Sequence, residues 1–296
     1  MRGTLRAIAI AITATFVAAA CGGGAGPGTQ ATGTPAATAA KPKFELAHYA
    51  YGIQTKGKIR IGTREDNIPF GRKDPATNKF EGFDIDIARE IAKGIFGNVA
   101  DIDQHIEYVP VVSATRIPTL QEGKADFVIA TFTINEDRKK QIDFSDVYFN
   151  TGQRILVKKD NSTIKEVADL NGKRVCSAKG STSEVNIRRE APQAILELQD
   201  TYPPCLILLQ QGRVDAVSTD ETILFGLVKQ DPNTKIVGRY FSAEPYGIGI
   251  KKDTGDRVGF AAFINSQLTA MFSDGRWAKI YKAHITPVSG DEKTKP

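Results

Sequence analysis

One nine-residue pattern occurs twice in this chain, and it restricts the possible folds more than any other feature. Leu120–Val128 has the sequence LQEGKADFV, and Leu209–Val217 has the sequence LQQGRVDAV. In each copy a helical stretch meets a glycine, and a base and an Asp then precede an apolar strand. A chance match between two α/β turns is the alternative. Two copies predict two similar lobes whose strand-end loops face one cleft.

The segments around the repeats alternate between strand and helix patterns. Lys58–Gly62 and Ile106–Val111 are short and rich in β-branched residues, whereas Phe83–Phe96 has apolar residues at a spacing of four. This alternation predicts an α/β architecture with mainly parallel sheets. The length of 296 residues exceeds one ordinary hydrophobic core, which agrees with two lobes.

The N-terminus has the composition of an export signal. Arg2 and Arg6 precede an apolar run that ends in small residues before Cys21, which is the pattern of a signal peptide over residues 1–20. The junction resembles a bacterial lipobox, with Ala18 in place of the usual Leu, so Cys21 is predicted to carry a lipid. Cleavage at an alanine-rich site, with no role for Cys21, is the alternative.

Residues 21–43 consist mainly of Gly, Ala, Thr and Pro without apolar periodicity, so they are predicted to form a flexible tether. A polar tail is predicted over residues 286–296. The net charge of +5 falls to +3 without the signal peptide, which carries two bases and no acid. A charge this weak and this evenly spread excludes nucleic acid as the expected partner.

Two cysteines remain beyond the signal region, Cys176 and Cys205. Disulfides persist in proteins exported to oxidising compartments, so these two are predicted to pair if Cys21 is lipidated. Two unrelated buried thiols are the alternative.

Polar loops follow the strands of both repeats, where open α/β sheets bind their ligands. After the first repeat, Thr133–Glu136 has the pattern of a capping box, and Arg138 follows within one helical turn. Helix N–H groups, a hydroxyl and a guanidinium together suit a carboxylate. A surface helix with an exposed Arg is the alternative.

The second half of the chain contains a similar arrangement. Gly180 permits close backbone approach, and Ser181 with Glu184 forms a second capping-box pattern. Asp220 follows the strand of the second repeat, where it could accept from an ammonium group or simply cap a helix. Spacing alone does not separate these two roles.

Catalysis and metal binding are poorly supported. His48, His105 and His284 are scattered without the spacing of metal ligands. No nucleophile elbow, Walker loop or dinucleotide fingerprint occurs between a strand and a helix. The sequence therefore favours a binding protein without cofactor or metal over an enzyme.

Gly82–Ala92, with the sequence GFDIDIAREIA, resembles the signature of the family 3 bacterial solute-binding proteins. Similarity continues in Thr131–Arg138, Asp143–Ser145 and Tyr246–Ile250 and covers about 56–285. It implies the α/β, two-lobed type II periplasmic-binding-protein fold, in which two crossing hinge strands join the lobes and the ligand lies between them.

The resemblance also implies the lobe boundaries and the partners. Lobe 1 is expected over 44–152 and 246–285, and lobe 2 over 153–245. Members of the family are polar amino-acid receptors of ATP-binding-cassette (ABC) importers. The chain is therefore expected to be a monomer outside the cytoplasm, anchored to the cell membrane as a lipoprotein, that meets the transmembrane subunits of an ABC permease.

Within the family the chain is most similar to actinobacterial glutamate-binding lipoproteins. These share Cys176 with Gly180–Thr182, Tyr202 followed by Cys205, and Thr219–Gly226. The shared cysteines support a Cys176–Cys205 disulfide in lobe 2.

The same resemblance implies the role of each ligand-binding residue. Arg138 is expected to bind the α-carboxylate beside Thr131 and Thr133, with Asp220 on the α-ammonium and Ser181 and Thr182 closing from lobe 2. Arg64 and Arg116 are expected to bind a side-chain carboxylate, with Tyr202 nearby.

Three arginines against one aspartate favour an acidic ligand, glutamate or aspartate, and disfavour arginine and lysine. Glutamine and asparagine stay open because a guanidinium also donates to an amide oxygen. An amino-acid sensor subunit that signals through a membrane partner is a further alternative, and a dehydratase with this fold is the enzyme alternative.

Overall fold

The computed structural model describes residues 41–296 of the chain. The predicted signal peptide, the lipidation site Cys21 and most of the predicted tether lie outside the described residues. Within residues 41–296 no helix combines the length and the apolar character that a membrane span needs. No cluster of metal-ligating side chains occurs in the same range.

Strands and helices alternate along the described chain as the sequence predicts. The strands are β1 (Ile59–Thr63), β2 (Asp66–Asn67), β3 (Gly71–Lys73), β4 (Phe80–Glu81), β5 (Ile106–Pro110), β6 (Phe127–Val128), β7 (Ile142–Phe144), β8 (Phe149–Lys158), β9 (Arg174–Ala178), β10 (Ile195–Gln199), β11 (Ala216–Asp220), β12 (Thr234–Val237), β13 (Ala243–Tyr246) and β14 (Gly249–Lys251). The helices are α1 (Tyr49–Lys56), α2 (Phe83–Phe96), α3 (Arg116–Gln121), α4 (Glu136–Lys139), α5 (Thr182–Glu190), α6 (Tyr202–Gln210), α7 (Glu221–Gln230), α8 (Phe260–Asp274), α9 (Arg276–His284) and α10 (Thr286–Ser289).

Two sheets of the same topology form the two lobes. The first has the order β5-β1-β6-β14-β7, and the second has the order β10-β9-β11-β8-β12. In the first sheet β1 lies between β5 and β6 and is parallel to both, and in the second sheet β9 lies between β10 and β11 in the same way. An antiparallel strand then pairs with β6 or β11, β14 in the first sheet and β8 in the second. This mixed α/β arrangement is the predicted two-lobed fold.

The repeated sequence pattern has the same conformation in both lobes. Gly123 and Gly212 adopt φ values of 68° and 69° after their helices, a region that only glycine enters without steric cost. The Asp that follows, Asp126 or Asp215, accepts a hydrogen bond from the backbone N–H of the Arg on the neighbouring strand, at 2.7 and 2.8 Å respectively. The repeat therefore joins each helix to its sheet in the same way.

Two antiparallel segments connect the lobes. The first half of β8 pairs with β13, from Gly152 opposite Ala243 to Phe149 opposite Tyr246. The second half of β8 belongs to the sheet of lobe 2, and the chain after β13 returns as β14 to the sheet of lobe 1. The ligand cleft is expected between these sheets, above the connecting strands.

Each lobe has its own core. In lobe 1 the apolar face of α2 and the side chain of Trp277 are fully buried. In lobe 2 a Cys176–Cys205 disulfide joins β9 to α6 inside the core, which confirms the predicted pairing. The predicted polar tail differs from the expectation in one respect, since its first residues form α10, which packs against α7.

Candidate functional site

The candidate site lies where the strands of both sheets end. Arg64 follows β1 and Thr131 follows β6, while Ser181 follows β9 and Asp220 ends β11. In both sheets these are neighbouring parallel strands whose connections leave in opposite directions along the sheet. Ligands of open α/β sheets bind at such a position, because the loops there diverge and leave a crevice.

The structure buries the nine predicted site residues, eight of them fully and Thr182 partly. Four of them line a cavity of about 670 Å³ at the edge of the cleft: Thr133, Arg138, Ser181 and Thr182. The other five lie deeper between the lobes and do not line this cavity: Arg64, Arg116, Thr131, Tyr202 and Asp220. Thr133 and Thr182 meet across the cleft, with 3.5 Å between their hydroxyl oxygens.

Arg138 lies on α4, but the predicted cap of this helix is wrong. Asn135, not Thr133, is the N-cap, and its side chain accepts from the Arg138 N–H at 2.9 Å. Thr133 pairs instead with Tyr246 in an antiparallel bridge, so its backbone is held extended. One guanidinium nitrogen of Arg138 donates to the carbonyl of Thr133 at 2.6 Å, and the remaining donors stay available.

Arg116 and Arg138 share an aromatic platform. Their guanidinium carbons lie 4.3 and 5.0 Å from the centroid of the Phe132 ring. Arg116 Nη1 donates to the carbonyls of Ala130 and Thr131 at 3.0 and 2.9 Å. Within the described residues neither guanidinium forms an ion pair, so both are positioned by neutral groups.

Burial destabilises the charged forms of Arg116 and Arg138. It lowers the pKa of Arg138 to about 10 and, together with the nearby charges of Arg138 and Arg64, lowers the pKa of Arg116 well below its ordinary value. A buried cation without a counter-ion is unfavourable, and an anion placed beside it relieves that cost. The pair therefore forms a site for an anionic group.

Arg64 is in a different electrostatic state. Its Nε and Nη2 donate to the two carboxylate oxygens of Asp66 at 3.0 and 3.1 Å, a bidentate ion pair. The Tyr202 ring of lobe 2 lies beside it, with its centroid 5.8 Å from the guanidinium carbon. The charge of Arg64 is thus largely compensated before any ligand arrives.

Thr131 has a strained backbone that the fold holds in place. Its φ of 45° is in the left-handed region, which a β-branched residue rarely enters. Its N–H donates to Asp84 Oδ2 at 2.9 Å, and Tyr148 donates to the other oxygen of that carboxylate at 2.8 Å. Burial raises the pKa of Asp84 to about 6. These contacts turn the Thr131 carbonyl toward Arg116.

The hydroxyls of Ser181 and Thr182 already use their hydrogens inside the protein. Ser181 is the predicted N-cap of α5, accepting from the Glu184 N–H at 3.1 Å and donating to the Ala178 carbonyl at 2.6 Å. The Glu184 carboxylate accepts from the Gly180 N–H, so the reciprocal half of the predicted capping box does not form. The first N–H groups of α5 have no partner within the helix and remain available as donors.

Asp220 occupies the N-cap position of α7, yet its side chain makes no capping hydrogen bond. Its Oδ2 accepts from the Tyr246 hydroxyl at 2.6 Å, while Oδ1 is buried without a partner among the described residues. Burial, followed by the nearby negative charge of Glu244, raises the pKa of Asp220 to about 7. Such an atom is an open acceptor for a cationic donor.

Glu244 brings a further carboxylate into the cleft. It is buried on β13, lines the cavity with Arg138, and accepts from Thr182, Asn186 and Ser242 at 2.6–2.8 Å. Counting it changes the predicted charge of the pocket. The cleft then contains three guanidiniums, Arg64, Arg116 and Arg138, and three carboxylates, Asp66, Asp220 and Glu244. Among the described residues, only Arg64 and Asp66 of these six form an ion pair.

Four residues of the site were not among the predicted ligand-binding residues: Asp66, Phe132, Glu244 and Tyr246. Asp66 could have been found, because it is an acid only two positions from Arg64. Tyr246 lies within a segment that resembles the family. Glu244 carries no local signal, since its partners are about 60 positions away in the chain.

The comparison with known proteins identifies the family. The model of the bacterial extracellular solute-binding proteins, family 3, matches residues 59–287. The chain belongs to this family.

Among its relatives, this solute-binding protein is 42% identical over 256 residues to the ABC transporter glutamine-binding protein GlnH of Bacillus subtilis, covering 86% of this chain and 91% of that protein. It is 36% identical over 236 residues to the glutamate-binding protein GluB of Corynebacterium glutamicum, covering 77% of this chain and 79% of that protein.

Among solved structures, an ancestral arginine-binding protein bound to glutamine superposes on this solute-binding protein with a TM-score of 0.70 and 43% identity. The match covers 77% of this chain and 98% of that one. The family and fold predicted from the sequence are thereby confirmed.

Proposed function

We propose that this protein binds L-glutamine between its lobes and delivers it to the permease of an ABC importer. The observation that carries the proposal is the bidentate Arg64–Asp66 ion pair, which compensates one guanidinium of the cleft, together with the buried carboxylates of Asp220 and Glu244 in the same cleft. A ligand without net charge suits such a cleft. The glutamine-binding name of a relative at 42% identity supports the same ligand.

The two ends of an amino-acid zwitterion fit the open groups of the site. The α-carboxylate would take the free donors of Arg138 and the first N–H groups of α5, which also favour an anion through the helix dipole. The α-ammonium would donate to the open Oδ1 of Asp220. These anchors are the same for every α-amino acid, so selectivity must come from the side chain.

The part of the site that would contact the ligand's side chain favours an amide over a carboxylate. With Arg64 compensated by Asp66, the guanidinium keeps one nitrogen, Nη1, outside the ion pair. An amide oxygen accepts from such a donor without bringing a new buried charge. Glutamate is the second candidate, because Arg116 has no carboxylate partner in the described residues and could pair with one from the ligand.

The membrane anchor and the points where the chain crosses between the lobes are also proposals. We propose that Cys21 bears the lipid anchor that holds a monomeric receptor at the outer side of the cell membrane. We also propose that the chain passes between lobes near residues 152–153 and 245–246, where β8 and β13 pair.

Titration calorimetry tests the ligand. The purified protein is freed of bound ligand by unfolding and refolding, and glutamine, glutamate, aspartate and arginine are compared in one buffer. Glutamine is expected to bind more tightly than glutamate by about tenfold or more, which is about 1.4 kcal/mol. A preference for glutamate would replace the proposed ligand and leave the receptor function in place. The absence of binding by all four would contradict both.

A further inference from the structure

We propose that Asp66 determines whether the cleft accepts an amide or a carboxylate side chain, by compensating the charge of Arg64. This inference rests on the proposed function only in that the cleft binds an amino acid. It assigns a selectivity role to a residue that does not itself need to touch the ligand. Asp66 is thus a positioning residue, acting through Arg64.

The ion pair is built by the fold rather than by chance contact of long side chains. Asp66 begins β2, where pairing with Arg72 of β3 fixes its backbone. Arg64 is 2% exposed, and its Nε and Nη2 meet the two Asp66 oxygens at 3.0 and 3.1 Å. A guanidinium in this fork geometry is held in both position and orientation.

The pair lies where the two lobes meet. The ring of Tyr202, at the start of α6 in lobe 2, is 5.8 Å from the Arg64 guanidinium carbon, and α6 packs against β2. A ligand side chain that extends away from Arg138 and Asp220 toward Arg64 would therefore meet an ion pair and not a free cation. Arg116 is the nearby guanidinium that lacks a carboxylate partner in the described residues.

Removing the Asp66 carboxylate would change the electrostatics of the cleft by one charge at this position. Arg64 would gain two free donors, Nε and Nη2, and would join Arg116 as a second uncompensated cation at the side-chain end. Hydrogen bonds that involve a charged partner are about twice as strong as neutral ones. A carboxylate ligand would gain more from this change than an amide ligand.

The test compares Asp66→Asn with Glu65→Gln. Glu65 is an exposed acid one position away and has no ion pair in the described residues, so its substitution removes the same charge without releasing Arg64. Calorimetry with glutamine and glutamate gives the ratio of their dissociation constants for each protein. Asp66→Asn is expected to shift this ratio toward glutamate by about tenfold or more, and Glu65→Gln by less than about twofold.

Asp66→Ser provides a second variant without the carboxylate, and thermal unfolding shows which variants are folded. An unchanged ratio in either folded Asp66 variant would overturn the inference, as would an equal shift in Glu65→Gln. If the wild-type protein prefers glutamate, the proposed ligand is contradicted but the role of Asp66 is not. That role is still tested by whether removing Asp66 shifts the ratio of dissociation constants further toward glutamate.

Discussion

The hydroxyl of Thr182 donates to Glu244 Oε2 at 2.8 Å, so its single hydrogen is not available to a ligand. Thr182 is the first residue of α5, and its backbone N–H has no acceptor within the helix. If the residue helps to bind a carboxylate, it must do so through the N–H.

Two substitutions of Thr182 separate these groups. Thr182→Val removes the hydroxyl and is expected to leave glutamine affinity within about threefold while destabilising the fold by about 1–2 kcal/mol, because buried Glu244 loses a donor. Thr182→Pro also removes the N–H at a position where helices tolerate proline, and Ser181 before it is already extended with ψ 159°. It is expected to weaken binding by about tenfold or more.

Calorimetry gives the affinities, and denaturant unfolding gives the stabilities. Equal affinity loss in the two variants would assign the contact to the hydroxyl and contradict the role of the helix N-terminus.

Binding should depend on pH through Asp220. Its pKa is raised to about 7 in the unliganded protein by burial and then by Glu244, while Tyr246, Arg116 and Arg138 favour the ionised form. An ammonium ligand needs the ionised carboxylate, so affinity is expected to rise between pH 5 and pH 8, by about tenfold per unit below pH 7.

The stability of the unliganded protein should change in the opposite direction. A carboxyl whose pKa is raised on folding binds more protons in the folded than in the unfolded state, so the free energy of unfolding falls as pH rises from about 4 to about 7. Asp84, whose pKa is about 6, adds to this trend.

Glu244→Gln provides the control for this pH effect. The substitution removes the negative charge that raises the pKa of Asp220, so the midpoint of the affinity profile should move to lower pH. Calorimetry at pH 5, 6, 7 and 8 measures both profiles. A flat profile for the wild-type protein would mean that Asp220 does not receive the ammonium in a protonation-dependent way.

The sequence predicted the fold and the position of the site because both depend on local patterns. The helix of Phe83–Phe96 is marked by its apolar spacing, and the repeated turn requires Gly123 and Gly212 at positive φ. Parallel strands place their C-terminal loops at one edge of a sheet, so residues on different loops could be assigned to a common cleft.

The charge of the cleft could not be predicted in the same way. It depends on Glu244, which lies on a strand distant in sequence from the residues it contacts. It also depends on Arg64 pairing with Asp66 and not with the adjacent Glu65. Thr133 and Asn135 are both good N-caps by propensity, and the bridge to Tyr246 decides between them by holding Thr133 extended. Each of these outcomes is set by tertiary contacts that local spacing does not contain.

The disulfide should contribute substantially to the stability of lobe 2. Cys176 and Cys205 close a loop with a sequence separation of 29. The chain-entropy estimate for such a loop is about 3.5 kcal/mol. The double variant Cys176→Ala, Cys205→Ala is expected to unfold at a lower temperature than the wild-type protein. Reducing agent should lower the wild-type midpoint toward that of the variant and leave the variant unchanged. If reducing agent lowers the unfolding midpoint of both proteins by a similar amount, the change does not come from the disulfide.

Gly226 should be required for closure of the lobes. It lies within α7 of lobe 2, where a Cβ would come within 1.9 Å of the Ile68 carbonyl oxygen in lobe 1. Glycine inside a helix is less stable than alanine by about 1 kcal/mol, so this position gives up helix stability where the lobes meet. Gly226→Ala is expected to weaken glutamine binding by about tenfold or more, because the added Cβ would force α7 away from Ile68.

Gly52→Ala is the matched control for this closure effect. Gly52 is also inside a helix, α1, and a Cβ there would meet no atom within 4 Å. The control should gain up to about 1 kcal/mol in unfolding free energy without a change in affinity. Calorimetry and thermal unfolding of both variants separate the two effects, because helix propensity acts on both positions and contact between lobes acts on Gly226 alone. Wild-type affinity in Gly226→Ala would show that glutamine binds without the approach of α7 to Ile68, and closure would then have to rely on the contact between Thr133 and Thr182.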